Sequence, residues 1–327
     1  MYNIILSDLD KKILTYIELR ADATVPNIAK KLNLRTHTVY YVINKLKREG
    51  IIKKVPFINM ARLGYSDYYL FFSLSSHDSS QRKELIQYLL KNQLVTWFVE
   101  LGGEYQYISA LYVKNTIEFS NFLLELSTRF GGLFFKKAFS LHTKSARFNR
   151  LYLFPESKRQ VITTQATEDI VTVDELDHRI LSLITEYSEK SYQEIAKLLN
   201  IPFSTLYYRL QILKKKDVVG KELYFVDTTK LAVQAFELLI YTKGLNSAFS
   251  DQLFEFAEKH PHIVHFVQSI GEWDFELGIE VETMYDATRI SEELYDKFGN
   301  TITTITTIPL FKQLKFKFYR SSLEKKK

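Results

Sequence analysis

The chain has 327 residues, 46% of them hydrophobic and 25% charged, with a formal net charge of +6. This length predicts roughly two to four domains, because a single soluble core stops growing at about 100 to 200 residues. The absence of cysteine excludes disulfides and thiolate chemistry. The longest apolar runs, at 68–74 and 236–241, are far shorter than the roughly 20 residues that cross a bilayer, and the N-terminus has no recognisable signal peptide. We expect a cytoplasmic protein with no membrane partner.

Three helical patterns open the chain. Leu9, Ile13 and Ile17 lie one turn apart behind a Ser7-x-x-Asp10 cap, which predicts a helix start. Two more helices are indicated by the apolar spacing of Ile28, Ala29, Leu32, Leu34, Val39, Ile43 and Leu46. Asn33 stands between them, and asparagine enters left-handed backbone geometry at low cost. The pattern predicts a helix-turn-helix; the alternative is an ordinary α-hairpin with a tight turn.

A β-α-β-β-α-β order follows the three helices. The predicted elements are a strand at 68–75, a helix at 80–90, strands at 95–101 and 105–113, a helix at 117–130 and a strand at 134–142. This order predicts a ferredoxin-like four-stranded sheet with two helices on one face, so the other face needs a cover. The polar stretch 158–172 lacks helical periodicity and indicates a linker.

The second half of the chain repeats the first. Residues 9–14 (LDKKIL) recur at 176–181 (LDHRIL), and residues 28–33 (IAKKLN) recur at 195–200 (IAKLLN), both at an offset of 167 residues. Residues 103–107 (GEYQY) match 271–275 (GEWDF) at an offset of 168. Matches at nearly one offset indicate an internal duplication. The predicted elements of the second sheet are a strand at 235–242, a helix at 248–259, strands at 263–270 and 273–281, a helix at 285–298 and a strand at 301–310.

The predicted fold class is therefore α+β, with two winged helix-turn-helix domains alternating with two ferredoxin-like domains. The predicted boundaries are 1–54 and 173–221 for the helix-turn-helix domains, 55–66 and 222–234 for hinge strands, 67–150 and 235–320 for the ferredoxin-like domains, 151–172 for a linker and 321–327 for a basic tail.

Basic and polar side chains cluster on the predicted recognition helices. Between residues 30 and 54, eight Lys and Arg residues stand against the single acid Glu49. Base edges are read by hydrogen bonds and phosphates are held by charge, so we predict double-stranded DNA as the partner; the alternative is a solvated basic face. Two tyrosine pairs recur at matching positions, at 40–41 and at 207–208. In each pair we expect one ring to pack in the core and the other to contact DNA. The predicted DNA-binding residues are Arg35, Thr36, His37, Thr38, Tyr41, Lys45 and Arg48 in the first copy, and Ser204, Thr205, Tyr208, Arg209 and Lys215 in the second.

No catalytic motif is recognisable in the sequence. There is no Gly-x-Ser-x-Gly, no His-Glu-x-x-His and no glycine-rich phosphate loop, so we expect no enzyme activity, catalytic residue or cofactor. His260, His262 and His265 cluster, but strand alternation explains His265 better than metal ligation, and no metal site is predicted.

The chain resembles, twice over, the leucine-responsive and asparagine-type regulators (Lrp/AsnC). The resemblance rests on 9–14, 28–32, 46–52 (LKREGII) and the turn 271–274 (GEWD). It implies regulation of transcription, sensor domains that pair sheet to sheet within or between chains, and an amino-acid-like effector. By the same resemblance the effector site maps to Gly271, Asp274, Thr304 and Thr306. The first copy has Gln106 in place of Asp274 and FFKK at 134–137 in place of threonines, which implies a sensor that binds no ligand.

Two other functions remain open from the sequence. Siroheme decarboxylases are similar to this family in fold and also occur as fused pairs, and His265 lies near where they carry a functional histidine. The Arg-rich, Tyr-Asn-containing stretch expected of those enzymes is absent. The other possibility is an interaction module that binds nucleic acid, for instance RNA, without sequence selection.

Overall fold

The computed structural model describes residues 4–75, 79–244 and 246–320. The first helical unit consists of α1 (Asp8–Ile17), α2 (Val25–Leu32) and α3 (Thr36–Arg48), followed by β1 (Ile52–Ile58). Its sheet unit contains β2 (Ser66–Leu74), α4 (Ser79–Lys91), β3 (Val95–Leu101), β4 (Tyr107–Val113), α5 (Thr116–Phe130) and β5 (Phe134–Phe148). A short strand, β6 (Val161–Gln165), follows.

The second copy has the same order of elements. Its helical unit contains α6 (Glu175–Glu186), α7 (Tyr192–Leu199), α8 (Phe203–Lys215) and then β7 (Val219–Val226). Its sheet unit contains β8 (Gln234–Thr242), α9 (Ser247–Lys259), β9 (Ile263–Gly271), β10 (Phe275–Val281), α10 (Met284–Phe298) and β11 (Ile302–Phe316).

The helix ends confirm the local signals in the sequence. Ser7 and Asp10 form a reciprocal capping box at α1, in which each side chain accepts a backbone N–H that the helix leaves unpaired. Asp174 and Asp177 form the same box at α6. Asn33 and Asn200 end α2 and α7 in left-handed geometry, with φ of 54° and 55°.

Both sheets close on each other within one chain. The strand orders are β3-β4-β2-β5 and β9-β10-β8-β11, and the edges join because β11 pairs with β3 and β5 pairs with β9. Eight antiparallel strands therefore form a ring, with β6 added on β5. The faces without helices cover each other: Phe71, Ile108, Leu239, Trp273 and Ile308 pack between them.

Five predicted segments differ from the structure. β5 and β11 each have 15 residues and run past the expected ends at 142 and 310, because their second halves pair with strands of the other sheet. The expected linker contains β6 and therefore joins the sheet. β1 and β7 begin before the hinge strands expected at 55 and 222. The expected basic tail at 321–327 lies outside the described residues.

The two helical units are joined by a ribbon formed by β1 and β7. These strands pair antiparallel, with Val55 opposite Leu223. Tyr224 and Val226 of β7 pack in the core of the first helical unit, whereas Ile58 of β1 packs in the core of the second. Each helix-turn-helix therefore rests on the strand of the other copy, and this exchange fixes the two units together.

Candidate DNA interface

The recognition helices α3 and α8 present matching exposed stripes. His37, Tyr40, Tyr41, Asn44 and Arg48 are all exposed on α3, at spacings of three and four residues that keep side chains on one face of a helix. The positions 167 residues later, on α8, are also all exposed: Ser204, Tyr207, Tyr208, Gln211 and Lys215. Each stripe combines aromatic rings, an amide side chain and a terminal cation, which are groups that can contact base edges and phosphates.

Sequence reasoning missed four members of these stripes. Asn44 and Gln211 are not among the predicted DNA-binding residues, although the side-chain amide of each can form two hydrogen bonds with adenine. Tyr40 and Tyr207 are 62% and 49% exposed, so the expectation that one ring of each pair enters the core is wrong. The helical spacing from His37 and Ser204 was the signal that could have found all four.

Two predicted DNA-binding cations instead bind acids of their own units. Lys45 Nζ lies 2.7 Å from Asp10 Oδ2. Burial raises the pKa of Asp10, but hydrogen bonds from Lys45 and Ser7 outweigh burial and lower it overall. Arg209 binds Asp174 and Asp177, with 3.1 Å to Asp177 Oδ1. Both cations therefore fasten the recognition helix to the start of the first helix of the unit.

The other predicted contacts lie at or near the surface. Arg35, Thr36, His37, Tyr41, Arg48, Ser204, Tyr208 and Lys215 are exposed, whereas Thr38 and Thr205 are half-buried. Part of the basic cluster is neutralised: Lys47 pairs with Glu189 at 3.2 Å and Lys54 with Glu222 at 2.5 Å. Arg35, Arg48 and Lys215 form no ion pair with any residue that the structure describes, so their charges remain available to phosphates.

The residues predicted to bind an effector do not share one face. Asp274 Oδ2 accepts hydrogen bonds from the backbone N–H and the hydroxyl of Thr242, both at 2.7 Å. Thr304 and Thr306 pair in register with Tyr241 and Leu239, whose side chains point to the opposite side of β8 from Thr242 because strand side chains alternate.

The turn position has a structural role in both copies. Gln106 occupies the place of Asp274 and likewise accepts the backbone N–H of Leu74, at the matching end of its strand. Gly271 lies against β5, where an added Cβ would be 2.4 Å from the carbonyl oxygen of Phe139. The turn motif therefore closes a strand end and lets two strands approach.

The histidines do not form a metal centre. His262 Nδ1 lies 2.8 Å from the carbonyl oxygen of Glu280, and His265 faces a cavity between the sheets. Across the described ranges, no group of three or more His, Asp or Glu residues is arranged to hold a metal ion. In the same ranges, none of the helices has the length and apolarity needed to span a bilayer.

The fold and the exposed stripes define a protein with two DNA-binding helix-turn-helix units, and sequence comparisons agree. A family model for winged helix-turn-helix DNA-binding domains matches residues 6–53 and 173–219. The HTH-type transcriptional regulator FL11 of Pyrococcus furiosus is 30% identical over 120 residues, which cover 36% of this chain and 78% of the regulator. FL11 of Pyrococcus horikoshii is 31% identical over 119 residues, with the same coverage.

The chain belongs to this family of HTH-type transcriptional regulators and has the Lrp/AsnC type of architecture, with two helix-turn-helix regions in one polypeptide. It is a DNA-binding transcriptional regulator. A solved structure, siroheme decarboxylase NirDL, is similar with a TM-score of 0.60 over 97% of this chain and 95% of that protein. Since only 14% of the residues are identical, this likeness shows a shared fold alone.

Proposed function

We propose that a single chain reads two DNA half-sites, with α3 in one major groove and α8 in another. The observation that carries the proposal is the pair of exposed stripes at matching positions, on helices whose units are held together by the β1/β7 ribbon. In helix-turn-helix dimers, two recognition helices bind half-sites that are whole helical turns apart. Here the duplication supplies both helices, so one chain has the DNA-reading parts of a dimer.

In this proposal the side chains divide by task. Tyr41, Asn44, Tyr208 and Gln211 contact base edges, while Arg48 and Lys215 bind phosphates at the ends of the stripes. Arg35, Thr36, Thr38, Ser204 and Thr205 lie at the starts of the helices, where hydroxyls and backbone N–H groups also bind phosphate. Lys45 and Arg209 contribute by holding the helices in place.

We also propose that the protein acts in the cytoplasm as a regulator and not as an enzyme. An amino-acid-like effector at Gly271 and Asp274 would use Asp274 Oδ1, since Oδ2 is bound to Thr242. Thr304 and Thr306 pair with strand positions whose side chains point to the opposite face of the sheet from Thr242, so they would not contact the same effector group. Self-association of the sensor sheets between chains is not needed to cover them, because they cover each other.

Binding of the purified protein to its own upstream intergenic DNA and to scrambled DNA, across a salt series, tests this function. We expect selective binding that weakens steeply with salt as counterions return to the phosphates. Asn44→Ala and Gln211→Ala should each reduce selective binding by about tenfold, since a good amide-to-base contact is worth roughly 1–3 kcal/mol.

The matched control is Tyr285→Ala. Tyr285 is 72% exposed but lies on α10, away from both recognition helices, so its loss should leave DNA binding unchanged. Equal, weak binding to both DNAs would refute sequence-specific reading and favour a non-selective interaction module.

A further inference from the structure

A cavity of about 300 Å³ lies inside the strand ring, under the β1/β7 ribbon. Both sheets contribute to its wall: Tyr69 and Trp97 come from the first, and Glu237 and His265 from the second, with Arg147 from β5. Small-molecule sites in proteins have volumes of roughly 300–1,000 Å³. The space is therefore large enough for a small ligand, and its two walls differ in chemistry.

One wall is a polar row across three strand pairs. Arg147 is opposite His265, His265 is opposite Gly278, and Gly278 is opposite Glu237. Residues that are opposite each other in antiparallel strands point to the same face of the sheet. The row therefore presents a guanidinium, an imidazole, a gap and a carboxyl group to the cavity.

Gly278 keeps the middle of this row open. A Cβ added there would lie 2.9 Å from His265 Cβ and 3.6 Å from Glu237 Oε2. The first distance is too short for an unstrained contact, so any side chain at this position would push into the space between His265 and Glu237. Gly278 therefore leaves space for a ligand between His265 and Glu237 in this wall.

The polar groups of this wall lack partners within the described parts of the chain. Arg147 is exposed towards the cavity and makes no hydrogen bond or ion pair there. Glu237 is only 6% exposed, yet its Oε1 forms no hydrogen bond with the described residues. Burial, and then the nearby Glu276, raise the pKa of Glu237 well above its usual value. A neutral carboxyl group of this kind can donate as well as accept a hydrogen bond.

The opposite wall is aromatic at the equivalent positions. At an offset of 168 residues, Trp97 takes the place of His265, Tyr69 that of Glu237, and Ala110 that of Gly278. The rings of Tyr69 and Trp97 have centroids 5.6 Å apart, and Gln313 accepts a hydrogen bond from the indole N–H of Trp97 at 3.2 Å. The duplicated framework therefore carries aromatic groups on one side and ionisable groups on the other.

We propose that this cavity binds a small aromatic carboxylate. Its ring lies against Tyr69 and Trp97, its carboxylate pairs with Arg147, and a polar substituent on the ring bonds to Glu237. The planar fork of an arginine matches a carboxylate with two parallel hydrogen bonds, and aromatic side chains favour offset or edge contacts with another ring. His265, whose pKa burial and Arg147 lower well below its usual value, stays neutral beside the carboxylate.

Calorimetric titration of the full chain without DNA tests the site, using 4-hydroxyphenylacetate, benzoate and indole-3-acetate as probes. At least one acid should bind with a Kd below about 1 mM and change the intrinsic tryptophan fluorescence, to which Trp97 of the cavity wall contributes. Arg147→Gln should weaken that binding at least tenfold. Since Arg147 is exposed and unpaired in the described structure, this variant should keep its fold.

Three further measurements test whether the binding is specific to this cavity. Gly278→Ala should also weaken binding, with folding verified by circular dichroism, whereas Arg289→Gln, an exposed arginine on α10, should have no effect. The uncharged 4-hydroxyphenethyl alcohol should bind more weakly than 4-hydroxyphenylacetate.

The proposal is overturned if no acid binds below about 1 mM, or if Arg147→Gln binds as well as the parent. Uptake of an iron porphyrin with a Soret absorbance band, lost in Arg147→Gln, would overturn it in favour of a tetrapyrrole. Because no DNA is present, a failure here leaves the DNA-reading proposal untouched.

Discussion

His142 lies buried between two carboxylates at the seam of the two sheets. Its Nδ1 is 3.3 Å from Asp67 Oδ2 and its Nε2 is 3.3 Å from Glu276 Oε1. Burial alone would lower the pKa of this histidine, but the charges of Glu276 and Asp67 raise it to about 10. Glu276 also accepts hydrogen bonds from Ser140 at 2.6 Å and Trp273 at 2.8 Å. These hydrogen bonds hold Glu276 in place for its ion pair with His142.

This pair predicts a pH-dependent stability. A histidine whose pKa is higher in the folded state contributes its full stabilisation below about pH 6.5, the unfolded value, and loses it as the pH rises towards 10. We expect the free energy of unfolding, measured in urea, to decrease as the pH rises from about 6.5 to about 10. His142 alone should account for a decrease of at most about 1.4 kcal/mol per pH unit. In the variant His142→Gln, the free energy of unfolding should decrease less steeply with pH than in the parent protein. Equal slopes for the two proteins would show that His142 is neutral in the folded state.

At the level of helices and strands, the ends of α2 and α7 depend on asparagine. Asn200 has φ of 55°, a conformation that costs residues with an ordinary Cβ roughly 1–2 kcal/mol. Asn200→Ala should therefore lower the free energy of unfolding by about 1 kcal/mol, measured by denaturant titration. Asn200→Gly is the control and should be close to neutral, because glycine adopts this geometry freely. A larger loss with glycine than with alanine would contradict the account.

The elements that could be predicted are those with local causes. The positions of the helices follow from their capping boxes, from the turn asparagines and from the apolar spacing. The predicted ends of β3 match the observed ends, Val95–Leu101. β5 and β11 were predicted too short because their extra length depends on partners far away in the chain. The candidate site was foreseeable in its helices, but not in the ion pairs that bind Lys45 and Arg209, since those depend on how α1 and α6 pack.

At the level of the whole molecule, a buried ion cluster joins α1 to the second sheet. Arg150 binds Glu18 at the end of α1 and forms two hydrogen bonds of 2.7 Å with Glu280 on β10. Removing one partner of a buried ion pair leaves an uncompensated charge, at a cost of roughly 3–5 kcal/mol. We expect Arg150→Met to lower the free energy of unfolding by this order.

The matched control is Arg129→Met. The side chain of Arg129 is 46% exposed and pairs with Glu84 and Glu125 at the surface, where an ion pair contributes at most about 1 kcal/mol. Similar losses for the two variants in denaturant titration would show that the buried cluster does not join the units as described.

The most direct test of a single chain reading two half-sites is hydroxyl-radical footprinting on the upstream DNA, at protein concentrations where the chain is monomeric. The parent protein should protect two patches separated by a whole number of helical turns. The double variant Tyr41→Ala, Asn44→Ala should lose one patch, and Tyr208→Ala, Gln211→Ala should lose the other. A single protected patch, or protection that survives both double variants, would contradict the account.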